Sequence, residues 1–451
     1  LRNPERFREK LYRKAATTSW IWRALATFTR PAPALITIAV AALLFVGAVY
    51  KSQDMKIGDS EAGVPELRAD SRYNRDARLI SERFALGVDQ LGVIAETSSQ
   101  ACTENYEVMD RIDNFAWQMR QVEGVQKVMT LPQVAKIVNA GWNEGNLRWQ
   151  VLPRNRFVLR QSLQNIDTDT GLLNRDCSAM PVLVFMEDHR AETIERVVGR
   201  AKALRQELGI APDVAVAAEP AADAEPAEPA NGLMEFAAEV GLVSGDIAPE
   251  LSTEDTCKSQ VAPTEDCLRF RLATGNVGVM AATNEEVRAA QTPILLYVYG
   301  AIVVLCLITF RSLLGTMCIV LPLVLVSYLA YSLMAFMDVG LKVNTLPVVA
   351  LGVGIGVDYG IYIFSRMREY LDDGTTLDEA YLRTLRLTGR AVLFTAVTLA
   401  VGVGTWLFSD LKFQADMGML LSFMFIFNMI GAMLLLPALA RWLLRPREAA
   451  A

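Results

Sequence analysis

One acidic residue lies deep in an apolar stretch of the chain. Asp358 occurs in LPVVALGVGIGVDYGIYIF, which has the length and composition of a membrane-crossing helix. An ionised carboxylate at such depth costs at least about 2.5 kcal/mol, so it is expected to face a bundle interior and find polar partners. We interpret Asp358 as a carboxylate that takes up and releases protons. The alternative is a permanently protonated, hydrogen-bonded acid in the bundle core.

Helical geometry predicts two different faces around this residue. At about 100° per residue, Gly352, Gly356 and Gly360 form one stripe of small residues, which lets a neighbouring helix approach closely. Asp358 and Tyr362 lie on another face, one turn apart. One face is therefore predicted to pack tightly, while the other presents a carboxylate with a phenol beside it.

Hydroxyl groups in a neighbouring apolar segment could support the carboxylate. Thr395 and Thr398 could hydrogen-bond toward Asp358. Threonines in helices often bond instead to a carbonyl of their own helix, so both interpretations stay open. Tyr359 adjoins Asp358 in sequence but points about 100° away on an ideal helix.

Six apolar segments are long enough to cross a bilayer as helices, which takes roughly 20 residues each. They span residues 31–50, 293–310, 313–337, 345–365, 391–409 and 417–440. With six crossings, the flanks rich in Lys and Arg all fall on one side, which predicts that both termini are cytoplasmic. The long polar region after the first segment is then outside. The predicted fold class is an α-helical membrane bundle of six helices with an α+β extracytoplasmic domain inserted between its first and second helices.

The same reasoning predicts the domain organisation. It comprises a cytoplasmic basic amphipathic segment (1–30), the first transmembrane helix (31–50), the outside α+β domain (51–292) with a mobile Ala/Pro/Glu loop (212–231), a five-helix bundle (293–440) and a cytoplasmic tail (441–451). The basic segment is interpreted as a solvated helix at the lipid headgroups, with a specific anionic-lipid site as the alternative.

The outside region alternates between strand-like and helix-like patterns. Strands are predicted at 87–96, 125–131, 181–186 and 269–273, and helices at 105–122 and 191–208. This pattern favours βαβ units with helices packed on a sheet. After the fourth span, Thr376-x-x-Glu379 predicts a separate surface helix over 377–387 that Gly389 ends.

Four cysteines in the outside region could form disulfides. Cys102, Cys177, Cys257 and Cys267 are an even number in a compartment that permits oxidation, and three pairings are possible. Cys306 and Cys318 lie in spans and are predicted to be inert core thiols.

Composition excludes several other classes of function. The net charge of -6 does not suit nucleic-acid binding, which needs a basic face. The single histidine, His189, makes His-rich metal sites and Ser-His-Asp triads hard to assemble. We therefore predict no metal, no cofactor and no enzymatic activity.

Three stretches of the chain resemble one half of the resistance–nodulation–division (RND) superfamily, in its MMPL-like branch, which includes exporters of hopanoids and mycobacterial lipids. They are GVGIGVDYGIYIFSRMRE, the following LTGRAVLFTAVTLAVGVG, and GDSEAGVPELRADSRYNRDARLISERF after the first span. The resemblance implies an extracytoplasmic porter-like domain and a proton-driven exporter of hydrophobic or lipid-like molecules in the bacterial inner membrane. It also implies that Asp358 and Tyr359 relay protons, with Tyr362, Thr395 and Thr398 as possible support.

The resemblance also bears on partners. Full members of the branch carry two such halves, so this chain is expected to be the C-terminal half, paired with the N-terminal half or with a second protomer. Periplasmic accessory proteins and membrane lipids are further expected partners. The alternative function is a membrane sensor or scaffold, similar to sterol-sensing relatives, that binds lipid and transports nothing.

Overall fold

The structure of the chain is a computed structural model that describes residues 20–61, 63–64, 66–84, 89–164, 166–208 and 268–444. It divides into two compact units. Unit 1 comprises residues 1–82, 189–192 and 280–451, and unit 2 comprises residues 83–188 and 193–279. The predicted loop 212–231, residues 1–19 of the predicted segment 1–30, residues 445–451 of the predicted tail 441–451, and Cys257 and Cys267 lie outside the described residues.

The described helices and strands follow one another along the chain. The helices are α1 (Trp20–Ala26), α2 (Pro31–Ser52), α3 (Arg72–Arg83), α4 (Ala101–Glu104), α5 (Tyr106–Met119), α6 (Leu131–Trp142), α7 (Arg156–Leu163), α8 (Ala191–Glu207), α9 (Gly275–Phe310), α10 (Leu313–Phe336), α11 (Leu346–Asp372), α12 (Leu377–Phe408) and α13 (Lys412–Leu443). The strands are β1 (Asp89–Thr97), β2 (Val125–Met129), β3 (Ala179–Met186) and β4 (Leu268–Thr274).

Six of the described helices are long and apolar enough to cross a bilayer, as the sequence predicts. They are α2 and α9 to α13. Helix α9 begins at Gly275 and runs for 36 residues, well before the predicted start at residue 293. Its extra turns mix polar, charged and apolar residues, so hydropathy alone marks only the continuously apolar part of a longer helix.

The prediction of a separate surface helix that ends at Gly389 is wrong. Residues 377–387 do form a helix beginning at Leu377, but Gly389 does not end it. Gly389 keeps helical backbone angles, and a wide turn at Leu385–Gly389 carries the helix directly into the next segment. Glycine at this point serves packing, since a Cβ there would stand 3.3 Å from the ring of Trp22.

Unit 2 contains a four-stranded antiparallel sheet in the order β2-β3-β1-β4. β1 and β2 run parallel to each other but are separated by β3, which pairs with both. The predicted βαβ pattern is therefore present in its split form, in which the third strand inserts between the first two. Phe115 of α5 stacks on Phe270 of β4 with ring centroids 4.3 Å apart, which fixes the helix on the sheet.

One disulfide joins Cys102 in α4 to Cys177 before β3 in unit 2. Both residues are buried, and the bond closes a separation of 75 residues. Cys306 and Cys318 are buried free thiols in α9 and α10.

Candidate functional site

Helix α11 positions Asp358, and its own start is fixed by a short loop. The Thr345 hydroxyl accepts a hydrogen bond from the backbone N–H of Lys342 at 2.8 Å, and Pro347 lies in the first helical turn, where its missing N–H costs nothing. The helix then continues for 27 residues to Asp372. Asp358 thus lies near the middle of a long, continuous helix.

The glycine stripe of α11 lies against two neighbouring helices. A Cβ on Gly352 would collide with Met424 of α13, and one on Gly356 would collide with the Asn428 side chain. At Gly360 a Cβ would come within 2.9 Å of Ile319 in α10. Small residues at these positions let α13 and α10 approach the α11 backbone closely.

Asn428 uses this close approach to bond across the two helices. It is buried in α13, and its side-chain Nδ2 donates to the backbone carbonyl of Gly352 at 2.9 Å. Its Oδ1 has no hydrogen-bond partner among the described residues. Asn428 stands out in the sequence as a polar amide within an apolar segment. Its partner, the Gly352 carbonyl, is a backbone atom, so the sequence alone does not predict the bond.

Asp358 lies on the opposite side of α11, exposed at the surface of this chain. The expectation that it faces the bundle interior and finds polar partners there is wrong for the single chain, because the packed side of α11 is occupied by the glycine stripe. The structure gives Asp358 no hydrogen bond within the described part of the chain. Tyr362, one turn further on, is also exposed, at 59%. The carboxylate and the phenol therefore share one uncovered face, which we call the Asp358 face and define by Leu351, Gly354, Asp358 and Tyr362.

Tyr359 points into the bundle. Its side chain is 2% exposed, and its hydroxyl is buried without a hydrogen-bond partner in the described residues. The adjacent residues Asp358 and Tyr359 therefore occupy different environments, as the 100° turn between them requires. A buried phenol without a partner is an uncommon arrangement that calls for an explanation.

Thr395 and Thr398 are not brought to Asp358. Both lie on exposed parts of α12, and the Thr398 hydroxyl donates to the carbonyl of Phe394 at 2.7 Å. The alternative that such a hydroxyl bonds to its own helix thus describes Thr398. Helix α13 packs against both α11 and α12, and neither threonine makes a hydrogen bond to Asp358.

A second polar cluster, which sequence reasoning missed, surrounds the loops that lead into α11 and α13. Lys342 pairs with Asp59, and Lys412 pairs with Glu61, so a segment following α2 is attached to both loops. The same segment forms backbone bridges at Ile57–Leu341 and Leu67–Leu411. We call residues 56–61, 63–64 and 66–68 the strap. Since the ion pairs join residues some 280 or more positions apart, no local sequence pattern predicts them.

Lys56 at the start of the strap carries two ion pairs. Its ammonium lies 3.0 Å from Glu192 and 3.1 Å from Asp338. Hydrogen bonds to Glu192 and then to Asp338 are the main causes that raise the pKa of Lys56 above its ordinary value. Lys56 thus remains charged throughout the physiological range.

Sequence comparison finds known relatives for the C-terminal part of the given sequence. Residues 259–449 match the model of the MMPL family. A membrane protein of Methanocaldococcus jannaschii is 27% identical over 168 residues, which is 37% of this chain and 43% of that protein. The trehalose monomycolate exporter MmpL3 of Mycobacterium tuberculosis is 45% identical over 64 residues, or 14% of this chain and 7% of that exporter.

A third relative is likewise similar to only part of this chain. The membrane protein YdfJ of Bacillus subtilis is 26% identical over 88 residues, which is 20% of this chain and 12% of that protein. The matched segments thus span less than half the length of each of these relatives. The predicted resemblance is confirmed at the level of the family.

Proposed function

We propose, for a chain of the MMPL-like branch of the RND superfamily, that it is one six-helix unit of a proton-driven exporter of a hydrophobic or lipid-like substrate. One observation carries the proposal: α11 presents the Asp358 carboxylate on one face while its glycine stripe packs on the other. A relative named as an exporter of trehalose monomycolate supports a lipid-like substrate. Transport would run from the inner membrane or periplasm outward.

A second bundle is proposed to cover the Asp358 face. Leaving an ionised carboxylate against hydrocarbon costs several kcal/mol on most scales, about 2.5 at the least, so this face calls for a polar partner. A matching N-terminal half or a second protomer would bring its own polar groups to Asp358 and Tyr362. The polar contacts of Asp358 and Tyr362 would then form between two bundles and not within one.

Protonation of Asp358 is proposed to drive the conformational change. Neutralising the carboxylate removes the cost of desolvating it, which favours tighter approach of the facing bundle. Helix α11 is tied to α13 by Asn428 and Gly352, so movement of α11 carries α13 with it. Tyr359 would serve as an inner proton relay, since its buried hydroxyl has a free hydrogen-bonding capacity within the described structure.

The proposed topology follows the charge distribution of the loops. Residues 1–30 and 441–451 would be cytoplasmic and residues 51–292 periplasmic, as a porter-like domain, in a bacterial inner membrane. The five helices 293–440 would form the bundle with the first helix. Periplasmic accessory proteins remain proposed partners.

Asp358→Asn tests the proposal directly. In membrane vesicles with an imposed proton gradient, the variant should export a fluorescent lipid at least tenfold more slowly than the wild type, because an amide cannot carry the proton. Asp372→Asn is the matched control, since Asp372 is an exposed carboxylate at the end of the same helix. Equal unfolding temperatures of the variants establish that the fold is intact.

Two outcomes would contradict the proposal. Export at the wild-type rate by Asp358→Asn removes the proton role. Lipid binding by the wild type with no proton flux and no export would favour the alternative of a non-transporting lipid sensor or scaffold.

A further inference from the structure

Helix α13 is interrupted by a wide turn at Gly431–Leu435, where hydrogen bonds span five residues instead of four. The backbone N–H of Leu436 bonds to the carbonyl of Gly431, five residues back. Pro437 follows directly and has no N–H, so the Met433 carbonyl lacks the donor that an α-helix would give it. Wide turns of this kind recur at functional sites, and both they and proline are common causes of helix kinks.

A tyrosine of α12 supplies the donor that Pro437 cannot. The Tyr381 hydroxyl donates to the Met433 carbonyl, and the Tyr381 side chain is completely buried. An unpaired carbonyl inside an apolar bundle is costly, so this bond stabilises the wide turn. The bond also attaches the turn of α13 to the first part of α12.

The first part of α12 is itself held in place by its neighbours. It packs against α1 on one side and against α11 on another. Tyr381 lies four residues before the wide turn of α12 at Leu385–Gly389, and a Cβ on Gly389 would stand 3.3 Å from the ring of Trp22 in α1. Tyr381 therefore extends from a packed part of the bundle to the interrupted part of α13.

The wide turn separates two segments of α13 that are attached to different helices. The first segment, Lys412–Ile430, contains Asn428, whose side chain donates to the Gly352 carbonyl of α11. The second segment, Leu436–Leu443, packs against α2. A displacement of α11 is therefore passed to the first segment, while the second segment is held by α2.

We propose that the wide turn of α13 is a hinge for the proton-driven movement and that Tyr381 is its positioning residue. The hinge rests on the proposed function, in which α11 carries α13 with it. The first segment follows α11 through Asn428, and the second segment stays on α2. Tyr381 confines the bend to the turn because it holds the Met433 carbonyl on α12.

A spin-label distance across the turn, measured on the full chain in lipid, tests the hinge. Ile426→Cys and Trp442→Cys place labels at exposed positions on either side of the turn, and Leu35→Cys with Tyr50→Cys is the matched pair in the uninterrupted helix α2. The four cysteines other than the two of the described disulfide are replaced first, and unlabelled chain dilutes the sample. Between neutral and acidic buffer, the α13 distance should shift by several ångströms and the α2 distance should stay constant.

Tyr381→Phe tests the positioning role, because it removes only the hydroxyl. The distance across the turn should become broadly distributed and insensitive to pH, since the Met433 carbonyl is no longer held. Tyr299→Phe is the matched control, because it also removes a buried hydroxyl contact, with Ser327 at 2.7 Å, but between α9 and α10. The pH-dependent shift should persist in that control.

Adding Pro437→Ala to Tyr381→Phe separates positioning from simple stabilisation. The alanine N–H can bond to the Met433 carbonyl and close the wide turn into a regular α-helix. The double variant should therefore regain the unfolding temperature of the wild type but not the pH-dependent shift. If it regained both, Tyr381 would only satisfy a carbonyl, and its positioning role would be overturned.

The remaining outcomes distinguish the hinge from the proposed function. An α13 distance that is constant with pH in the wild type, or a shift in Tyr381→Phe as large as in Tyr299→Phe, overturns the hinge or its positioning residue. A shift that persists in Asp358→Asn supports the hinge and contradicts the proton role of Asp358. The wild-type measurement needs no change at Tyr381, so it decides the matter even if Tyr381→Phe fails to fold.

Discussion

Asp358 and Tyr359 show that the environment of a side chain depends on the direction in which it leaves the helix. The two residues are neighbours in sequence, yet one hydroxyl is buried among packed helices and the other side chain lies at the chain surface. Helical periodicity alone separates the glycine face from the carboxylate face, so this part of the site could be predicted. Which face is packed could not, because packing of α11 against α10 and α13 depends on long-range contacts that local periodicity does not contain.

Gly356 gives a prediction at the same scale. Gly356→Ala should lower the free energy of unfolding by about 1–3 kcal/mol, because the added methyl would overlap the buried Asn428 side chain. The matched control is Gly300→Ala in α9, where a Cβ has no neighbour within 4 Å. Denaturant unfolding of the purified chain in detergent measures both. If the two variants proved equally stable, the tight contact between α11 and α13 would be refuted.

At the scale of elements, hydrophobic periodicity located most helices and strands. The four predicted strands correspond to β1–β4 within a few residues, since alternating or continuous apolar runs between turns are a local property. The order of the strands could not be predicted, because the position of β3 between β1 and β2 results from long-range pairing. The amphipathic helices α6 and α7 of unit 2 were not predicted, although α6 begins at a Thr130 cap followed by Pro132 in its first turn.

The strap gives the prediction for this scale. Lys342→Ala should destabilise the protein on the order of 3 kcal/mol, because Asp59, with its side chain 9% exposed, would keep a buried charge without its counter-ion. Lys51→Ala should cost less than about 1 kcal/mol, since the Lys51–Asp54 pair is solvent-exposed. Thermal unfolding in one detergent allows both to be compared. A loss for Lys342→Ala no larger than that for Lys51→Ala would show that the strap does not stabilise the loops before α11 and α13.

At the scale of the whole molecule, alternating apolar and polar regions predict a membrane bundle with a separate α+β unit. That prediction rests on composition over tens of residues and is robust to local errors such as the one at Gly389. The exposure of the Asp358 face is likewise a property of the larger fold, because the other described helices leave this side of α11 open. Under the function proposed above, polar groups of a second bundle relieve the electrostatic cost of this face.

Lipid access to the Asp358 face tests this view of the assembly. A fluorophore attached to Leu351→Cys should be quenched by spin-labelled lipids far less than one attached to Val304→Cys in α9. Leu351 and Val304 are 52% and 54% exposed in this chain, so the chain alone predicts equal quenching. Cys257, Cys267, Cys306 and Cys318 are replaced beforehand so that only the introduced cysteine is labelled. Equal quenching in native membranes would mean that no second bundle covers α11.

The most direct measurement of the central claim is the protonation of Asp358 itself, followed by infrared spectroscopy of the assembled protein in lipid across a pH titration. The account predicts a protonated-carboxyl band that appears and disappears reversibly with pH in the wild type and in Asp372→Asn, and is missing in Asp358→Asn. If the Asp358→Asn spectra kept every pH-dependent carboxyl band of the wild type, Asp358 would not carry protons and the proton-driven mechanism would be contradicted.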